Sequence, residues 1–114
     1  MPIPPLKKRL AETLLTKFCQ TKIPAEFETE IKLSYRFRGL SATLIEGRLA
    51  MLKKGEWHEM AIAQFRYAEK NGKWSLYCAD RNDKWHLYTE CEASKDLNTL
   101  LEEVDEDPTG IFFG

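Results

Sequence analysis

Arginine, tyrosine and histidine side chains recur at alternate positions in several segments of this chain, and together they could bind an anion. Arg36 and Arg38 lie two residues apart in the segment KLSYRFR, and Arg66, Tyr77 and His86 stand in later alternating segments. Arginine presents a rigid fork of donors that suits phosphate and carboxylate groups. Tyrosine adds a ring for stacking, and histidine titrates near neutral pH. These residue types predict an anion-binding surface if the fold brings them to one face.

A catalytic use of the same surface would need a carboxylate base and a histidine acid, with arginines stabilising the charge on a phosphorane. Glu46 and His86 are the pair that a metal-independent ribonuclease would use. The sequence does not indicate that these two residues reach one phosphate. We therefore favour a non-enzymatic binding module and keep the small hydrolase as the alternative.

Metal and cofactor motifs are incomplete in this chain. The dipeptide at 58–59 begins like H-E-x-x-H, but Ile62 stands where the second histidine is needed. A calcium loop starting at Asp80 would have Trp85 in place of its glycine and Cys91 in place of its bidentate glutamate. There is also no glycine-rich phosphate loop and no nucleophile elbow. We expect neither a metal nor a cofactor.

Length and composition predict a single domain over residues 1–114. A chain of 114 residues that is 43% hydrophobic and 31% charged can bury a core without a disulfide or metal. Three cysteines without C-x-x-C spacing favour buried thiols and a cytoplasmic location. No secretory signal is apparent, and the apolar runs are too short to span a membrane.

Charge is unevenly distributed along the chain. Residues 1–88 contain 16 Lys+Arg against 10 Asp+Glu, whereas residues 89–114 contain 1 Lys against 8 Asp+Glu. The basic part suits an anionic ligand, such as nucleic acid or an acidic protein segment. Alternatively, the acidic C-terminal part neutralises the basic part within the same molecule.

Helical periodicity appears at both ends of the chain. A wide apolar stripe begins after Pro4 and Pro5 and ends near Lys22, and it consists of Leu6, Leu10, Leu14 and Phe18, flanked by Ala11 and Leu15. A second stripe follows Ser94, which we expect to be the N-cap, and it consists of Leu97, Leu100, Leu101 and Val104. Two amphipathic helices are therefore predicted.

Between the helices the hydrophobic period changes to two, which predicts about five antiparallel strands. The first three are expected at about 31–38, 43–52 and 58–69, with a turn over 53–56 and a bulge at Gly47. The simplest α+β fold is a five-stranded meander with the N-terminal and C-terminal helices on one face.

Turn residues and a repeat predict how the last three strands pair. Asn71-Gly72 is typical of a two-residue hairpin, which would place Arg66 opposite Tyr77. The pentapeptides KWSLY and KWHLY stand eleven residues apart, at 73–77 and 84–88, and predict neighbouring strands. A loop at 80–83 would place the following residues opposite one another: Leu76 and Leu87, and Tyr77 and His86. Trp74 and Trp85 would then both face the helices.

The face without helices would carry the polar residues of each strand. These are expected to be Ser34, Arg36, Arg38, Glu46, Arg48, Gln64, Arg66, Ser75, Tyr77, His86 and Tyr88. The ligand-binding residues that we predict among them are Arg36, Arg38, Arg66, Tyr77, His86 and Tyr88. A solvated face without a ligand remains the simpler interpretation of such a pattern.

Two features could instead hold a second copy of the chain. The last strand, at 84–90, is an edge strand, and edge strands form dimer contacts readily. The chain ends in the apolar residues 111–113. We expect this tail to dock on the sheet, with a homodimer contact as the alternative.

The segments FRYAEKNGKWSLYCADRNDKWHLY and LLEEVDEDPTGIFFG resemble a family of short bacterial proteins described as a domain of unknown function. The resemblance covers about residues 30–114, and its most specific parts are W-x-L-Y…KWH-x-Y and the terminal D-P-T-G-I-F-x-G. Members tend to have a tryptophan where Phe113 stands, so this chain keeps the aromatic ring but not the indole. The resemblance implies a soluble bacterial protein and suggests that the terminal aromatic pair matters. It implies no activity, catalytic residue or cofactor.

Overall fold

Two helices lie on one face of a five-stranded antiparallel sheet in the computed structural model, which describes residues 3–49 and 55–114. Each strand pairs with its neighbour in the chain, so the sheet is a meander. This confirms the predicted α+β class. The elements are α1 (Pro5–Lys22), a 3₁₀ turn (Ala25–Phe27), β1 (Ile31–Arg38), β2 (Ser41–Leu49), β3 (Trp57–Ala68), β4 (Lys73–Ala79), β5 (Trp85–Leu87) and α2 (Leu97–Glu106). The predicted end of the second strand at 52 and the first half of the predicted turn at 53–56 lie outside the described residues.

Helix α1 begins and ends as predicted, but it buries only one edge of the predicted wide stripe. Pro5 occupies the first turn, where its missing N–H costs no helical hydrogen bond. Ala11 and Leu15 are buried, whereas Leu6 and Leu10 are 72% and 56% exposed. The apolar periodicity is wide enough to fit either orientation, and packing against β1 and α2 decides which edge of the stripe is buried.

Helix α2 buries all four residues of its predicted stripe. Its N-cap is Asp96 and not Ser94, because an Asp96 carboxylate oxygen accepts a hydrogen bond from the backbone N–H of Asn98 at 3.0 Å. Ser94 lies earlier, beside Trp74, and exchanges two backbone hydrogen bonds with it. Ser94 therefore continues the edge of the sheet.

The hairpin between β3 and β4 has a four-residue loop where the sequence predicted a two-residue turn. Ala68 pairs with Lys73, which leaves residues 69–72 in the loop. Gly72 has a φ of +70°, but Asn71 is not among the residues with positive φ, and a type I′ turn needs positive φ at both positions. The Asn71 side-chain oxygen instead accepts from the Lys73 N–H at 3.0 Å.

The longer loop shifts the β3–β4 pairs by two residues from the predicted register. Arg66 lies opposite Ser75, and Gln64 lies opposite Tyr77. Because side chains alternate with a period of two, a shift of two residues leaves each side chain on its predicted face. The prediction of direct Arg66–Tyr77 pairing is wrong, whereas their shared face is correct.

The hairpin between β4 and β5 has a larger consequence, because its register differs from the prediction by one residue. Asp80 pairs with Lys84 through its backbone N–H, so the loop has three residues, and Asp83 ends it with a φ of +61°. This is the usual three-residue hairpin, a turn followed by a left-handed residue. A shift of one residue moves every side chain of β5 to the opposite face.

The pairs at β5 are therefore Tyr77 with Leu87, Cys78 with His86, and Ala79 with Trp85. The predicted Leu76–Leu87 and Tyr77–His86 pairs are wrong. Trp85 and Leu87 lie on the face opposite that of Trp74, and Leu87 is 54% exposed. The two similar pentapeptides thus place their tryptophans on opposite sides of the sheet.

A bulge occurs in the middle of the sheet, but not at Gly47. Leu44 pairs with Ala63 and Ile45 with Ala61, so Ile62 is the extra residue and the bulge is in β3. Gly47 pairs regularly with its neighbours. The side chain of Lys32 passes over it, and a Cβ at this glycine would lie 3.3 Å from the Lys32 Cγ.

The C-terminal tail folds back on the chain, as expected. Phe112 is 5% exposed, and its ring packs against Tyr88 with 5.0 Å between centroids. The Asp107 carboxylate accepts hydrogen bonds from the backbone N–H groups of Phe112, Phe113 and Gly114 at 2.8–3.1 Å. Asp107 thereby holds the tail in its turn. The predicted homodimer remains a prediction.

Membrane crossing by a helix is not supported in the part of the chain that the structure describes. Neither α1 nor α2 is long and apolar enough to span a bilayer.

Candidate anion-binding face

The sheet face opposite α1 and α2, which we call the outer face, gathers polar residues in rows across the strands. One row runs through direct cross-strand partners from β1 to β5, namely Arg36, Thr43, Gln64, Tyr77 and Leu87. The next row consists of Arg38, Ser41, Arg66 and Ser75. The structure thus brings Arg36, Arg38, Arg66 and Tyr77 to one face, as predicted.

Arg66 is held in place by two neighbouring side chains, one of which is itself held by a third. Its Cζ lies 3.8 Å from the centroid of the Tyr77 ring, and its Nε donates to Gln64 Oε1 at 2.7 Å. Gln64 in turn donates from Nε2 to Thr43 Oγ1 at 3.0 Å. The terminal guanidinium nitrogens of Arg66 make no hydrogen bond or ion pair to the described residues, so the fork of donors is positioned and open.

The charge of this face is not compensated within the described structure. Across residues 3–49 and 55–114, no carboxylate lies within ion-pairing distance of Arg36, Arg38 or Arg66. The outer face of the five strands carries five cations and one carboxylate, namely Lys32, Arg36, Arg38, Arg66, Lys73 and Glu59. This face is therefore strongly basic.

The acidic C-terminal part lies on the other side of the sheet. Helix α2 buries its apolar residues in the same core as Trp74 and Leu76, which face away from the outer face. Its one described ion pair to another element joins Asp105 to Lys22 of α1 at 2.9 Å. The alternative in which the acidic helix neutralises the predicted arginine face is therefore wrong, because the sheet separates them.

Aromatic side chains also contribute to the outer face. Lys32 Nζ lies 4.1 Å from the ring centroid of Trp57, and Trp85 lies opposite Ala79 at the other edge. Both tryptophans are partly exposed. The sequence interpretation did not include Lys32 and Trp57 in the site. Alternation along 31–38 could have shown the face of Lys32, but Trp57 has the parity of the buried Phe65, and only the bulge at Ile62 brings it to the outer face. Trp85 could not be placed without the loop length.

Two of the predicted site residues do not lie on the outer face. His86 pairs with Cys78 and lies on the helix side, where its Nε2 is 2.7 Å from Asp80 Oδ2. This hydrogen bond is the main reason that the pKa of Asp80 falls below its ordinary value. Tyr88 is 4% exposed. Both placements follow from the one-residue difference in the β4–β5 loop.

Tyr88 lies at the buried end of a polar contact between the sheet and α2. Its hydroxyl donates to Glu103 Oε2 at 2.7 Å. Burial, followed by the bond to Glu103, raises the pKa of Tyr88 to about 12. A tyrosine in this position stabilises the packing of α2 and the tail and is not accessible for stacking with a ligand.

The predicted catalytic pair is separated by the hydrophobic core. Glu46 is buried on the helix side, and its Oε1 accepts from Arg48 Nε at 2.8 Å. On the helix side, the row of cross-strand partners next to Glu46 runs from Leu44 on β2 through Ala63 and Cys78 to His86 on β5. Three strand spacings put β2 and β5 about 14 Å apart. Glu46 and His86 therefore do not reach one phosphate directly.

Metal binding and thiol chemistry find no support within the described ranges. No group of three His, Cys, Asp or Glu side chains there is arranged to hold a metal ion. All three cysteines are free, and burial raises the pKa of Cys19 to about 11 and the pKa values of Cys78 and Cys91 as well. A raised pKa keeps these thiols protonated and weakly nucleophilic.

Comparison with known proteins identifies a family but no activity. The profile of a family described as a domain of unknown function, DUF3024, matches residues 3–114, which include α1 as well as the sheet and the tail. No curated protein and no solved structure gives a significant match to the chain.

Proposed function

The chain belongs to the DUF3024 family, a domain of unknown function, and we propose that its outer face binds an anionic partner without catalysing a reaction on it. The observation that carries this proposal is the set of three arginines that share the outer face without an ion pair among the described residues. Like charges brought together raise the energy of the free protein. A partner with negative charge would relieve this repulsion.

The arrangement of Arg66 supports binding and not merely solvation. An exposed arginine normally keeps its rotational freedom, and ordering it on binding opposes the association. Here the Tyr77 ring and the Gln64 side chain already restrict the guanidinium. Its remaining donors suit the paired oxygens of a phosphate or carboxylate. The proposed ligand residues are Arg36, Arg38, Arg66 and Tyr77, and we omit His86 and Tyr88 because of their positions.

A hydrolase using Glu46 and His86 is not proposed, because the core lies between the two side chains. A bacterial origin and a cytoplasmic location are further proposals, and they rest on the sequence.

The proposal is tested by measuring the binding of polyanions over a range of salt concentrations. Fluorescence anisotropy with labelled oligothymidylate, and competition by heparin and polyglutamate, would give the affinity for each class of anion. We expect binding at low salt that weakens steeply as salt is added. The Arg66→Ala variant should bind more weakly, and its salt slope should fall by about one if one phosphate contact is lost.

Two control variants separate the outer face from general charge. Arg9→Ala removes an exposed arginine from α1, on the helix side, and should leave the affinity nearly unchanged. His86→Ala removes the residue that the hairpin turns away from the outer face, and it should behave in the same way. Failure of every polyanion to bind at low salt would refute the proposal, as would an equal loss of affinity in Arg9→Ala and Arg66→Ala.

A further inference from the structure

We infer that the anionic partner is single-stranded nucleic acid, with its backbone along β1 and its bases over β2–β4. This inference rests on the proposed function of the outer face and adds the class of partner. It combines three observations, namely a line of cations on one strand, an area of mostly short or buried side chains beside it, and partly exposed aromatic rings at its borders.

The cations form a track along one edge of the sheet. Lys32, Arg36 and Arg38 all lie on the outer face of β1, which is an edge strand. A strand rises about 3.3 Å per residue, so these three side chains span about 20 Å. A polymer with regularly spaced negative charges can contact all three at once. A small anion would contact one or two of them.

The strands beside this track carry several short side chains on the outer face, namely Ser34, Thr43, Ala61 and Ser75. Ile45 lies among them, opposite Ser34, and although it is larger it is only 7% exposed. At one end the Lys32 side chain covers Gly47, where a Cβ would lie 3.3 Å from the Lys32 Cγ. Away from Lys32, these short and buried side chains form a floor that flat groups can approach.

Aromatic and guanidinium planes border this floor and supply stacking partners. Trp57 and Tyr77 lie on β3 and β4, each next to a cation, and Trp85 lies on β5. The Arg66 guanidinium covers Tyr77 and is itself a plane on which a base can stack. Aromatic residues among cations on a sheet are the usual means of binding unpaired bases, since every base has a π face.

Other polyanions use only part of this arrangement. An acidic peptide would neutralise the arginines, but its carboxylates do not require a flat floor bordered by indole rings. A DNA duplex has grooves about 6 and 12 Å wide that admit an arm, a helix or a two-stranded ribbon. The five-stranded sheet is about 19 Å across, and both helices lie on its other face. The outer face therefore does not fit into a groove.

The inference is tested with probes that differ in one property at a time. The full chain is titrated with oligothymidylate, an abasic strand of equal length, a duplex with the same number of phosphates, and polyglutamate. We expect oligothymidylate to bind at least about fivefold more tightly than the abasic strand, because stacking of a single base contributes that much. The duplex and polyglutamate should both bind more weakly than oligothymidylate.

Tryptophan fluorescence provides a second readout at defined positions. Trp74 is 2% exposed in the core, so quenching by bound bases must come from Trp57 and Trp85. Trp57→Phe and Trp85→Phe should each remove part of the quenching that oligothymidylate causes. Phenylalanine keeps a ring in place, so both variants should remain folded, which thermal unfolding would verify.

The outcomes distinguish this inference from the proposed function beneath it. Equal affinity for oligothymidylate and the abasic strand would leave the anion-binding function intact and overturn the role of bases. A duplex that binds as tightly as the single strand, or tighter binding of polyglutamate, would also overturn the inference. No binding of any probe at low salt would refute both.

Discussion

Arg66 and Tyr77 are in contact across β3 and β4, although they are not direct partners in the sheet. The guanidinium carbon lies 3.8 Å from the ring centroid, while the direct partners on β3 and β4 are Arg66 with Ser75 and Gln64 with Tyr77. Diagonal neighbours on one face of an antiparallel pair are within reach of long and aromatic side chains. The contact therefore requires that both residues share one face of the sheet, and it forms although the observed register differs by two residues from the predicted one.

Removal of the Tyr77 ring should weaken anion binding without removing any charge. An exposed cation–π contact contributes about 0.5–1 kcal/mol, so Tyr77→Ala should lower the affinity for oligothymidylate about twofold to fivefold by anisotropy. Tyr77→Phe keeps the ring and serves as the matched control, and it should bind nearly as well as the wild type. Equal losses in the two variants would mean that the hydroxyl, and not the contact with Arg66, is the important feature.

The charge of Asp107 should stabilise the fold through the C-terminal tail. Asp107→Asn keeps a residue that tolerates the left-handed φ of +46°, but it turns an amide donor toward backbone N–H groups. We expect a loss of about 1–2 kcal/mol in the free energy of unfolding by urea denaturation. Asp105→Asn breaks only the surface ion pair with Lys22 and should cost less than about 1 kcal/mol.

Asp107→Asn should also change how the free energy of unfolding depends on pH. Burial raises the pKa of Asp107, but the backbone N–H groups of Phe112, Phe113 and Gly114 outweigh it and hold the pKa below its ordinary value. A depressed pKa contributes stability above the unfolded pKa of about 4, and that contribution is lost as pH falls through the folded pKa. Asp107→Asn should lose less stability on acidification than the wild type. Parallel stability curves would contradict this assignment.

Tyr88 should ionise well above the ordinary pKa of tyrosine. Its pKa is raised to about 12, so an alkaline absorbance titration should show a late step that belongs to Tyr88. Tyr88→Phe should remove that step and lower the free energy of unfolding by about 1–2 kcal/mol, because Glu103 loses a donor. Because the folded pKa lies above the unfolded value of about 10, the stabilisation is lost as pH rises through about 12.

The comparison variant for this titration is Tyr77→Phe, which removes a hydroxyl from the partly exposed outer face. The late step should persist in that variant. If all four tyrosines ionise together while circular dichroism still reports a folded protein, the buried hydrogen bond between Tyr88 and Glu103 is absent in solution.

The sequence by itself determined the class of fold and the faces of β1, β4 and the part of β3 that follows its bulge. On β2 the prediction was wrong, because Glu46 and Arg48 pair with residues of β1 that face the helices. Alternation along 31–38 places Arg36 and Arg38 together whichever strands are their neighbours, because successive side chains in a strand point to opposite faces. The error of two residues in the β3–β4 register left Arg66 and Tyr77 on their predicted face for the same reason.

Only the tertiary structure decided the faces of β2 and β5 and the position of the acidic helix. The side-chain and backbone bonds of Asp80 and the left-handed Asp83 shorten the predicted loop by one residue, which moves His86 and Tyr88 to the helix side. The alternation of side chains within a strand is a local property, so it does not reveal a turn that is one residue shorter than predicted. The separation of α2 from the arginines has a similar cause. Helix α2 packs on the sheet face that buries apolar side chains, and the packing of the whole chain determines which face that is.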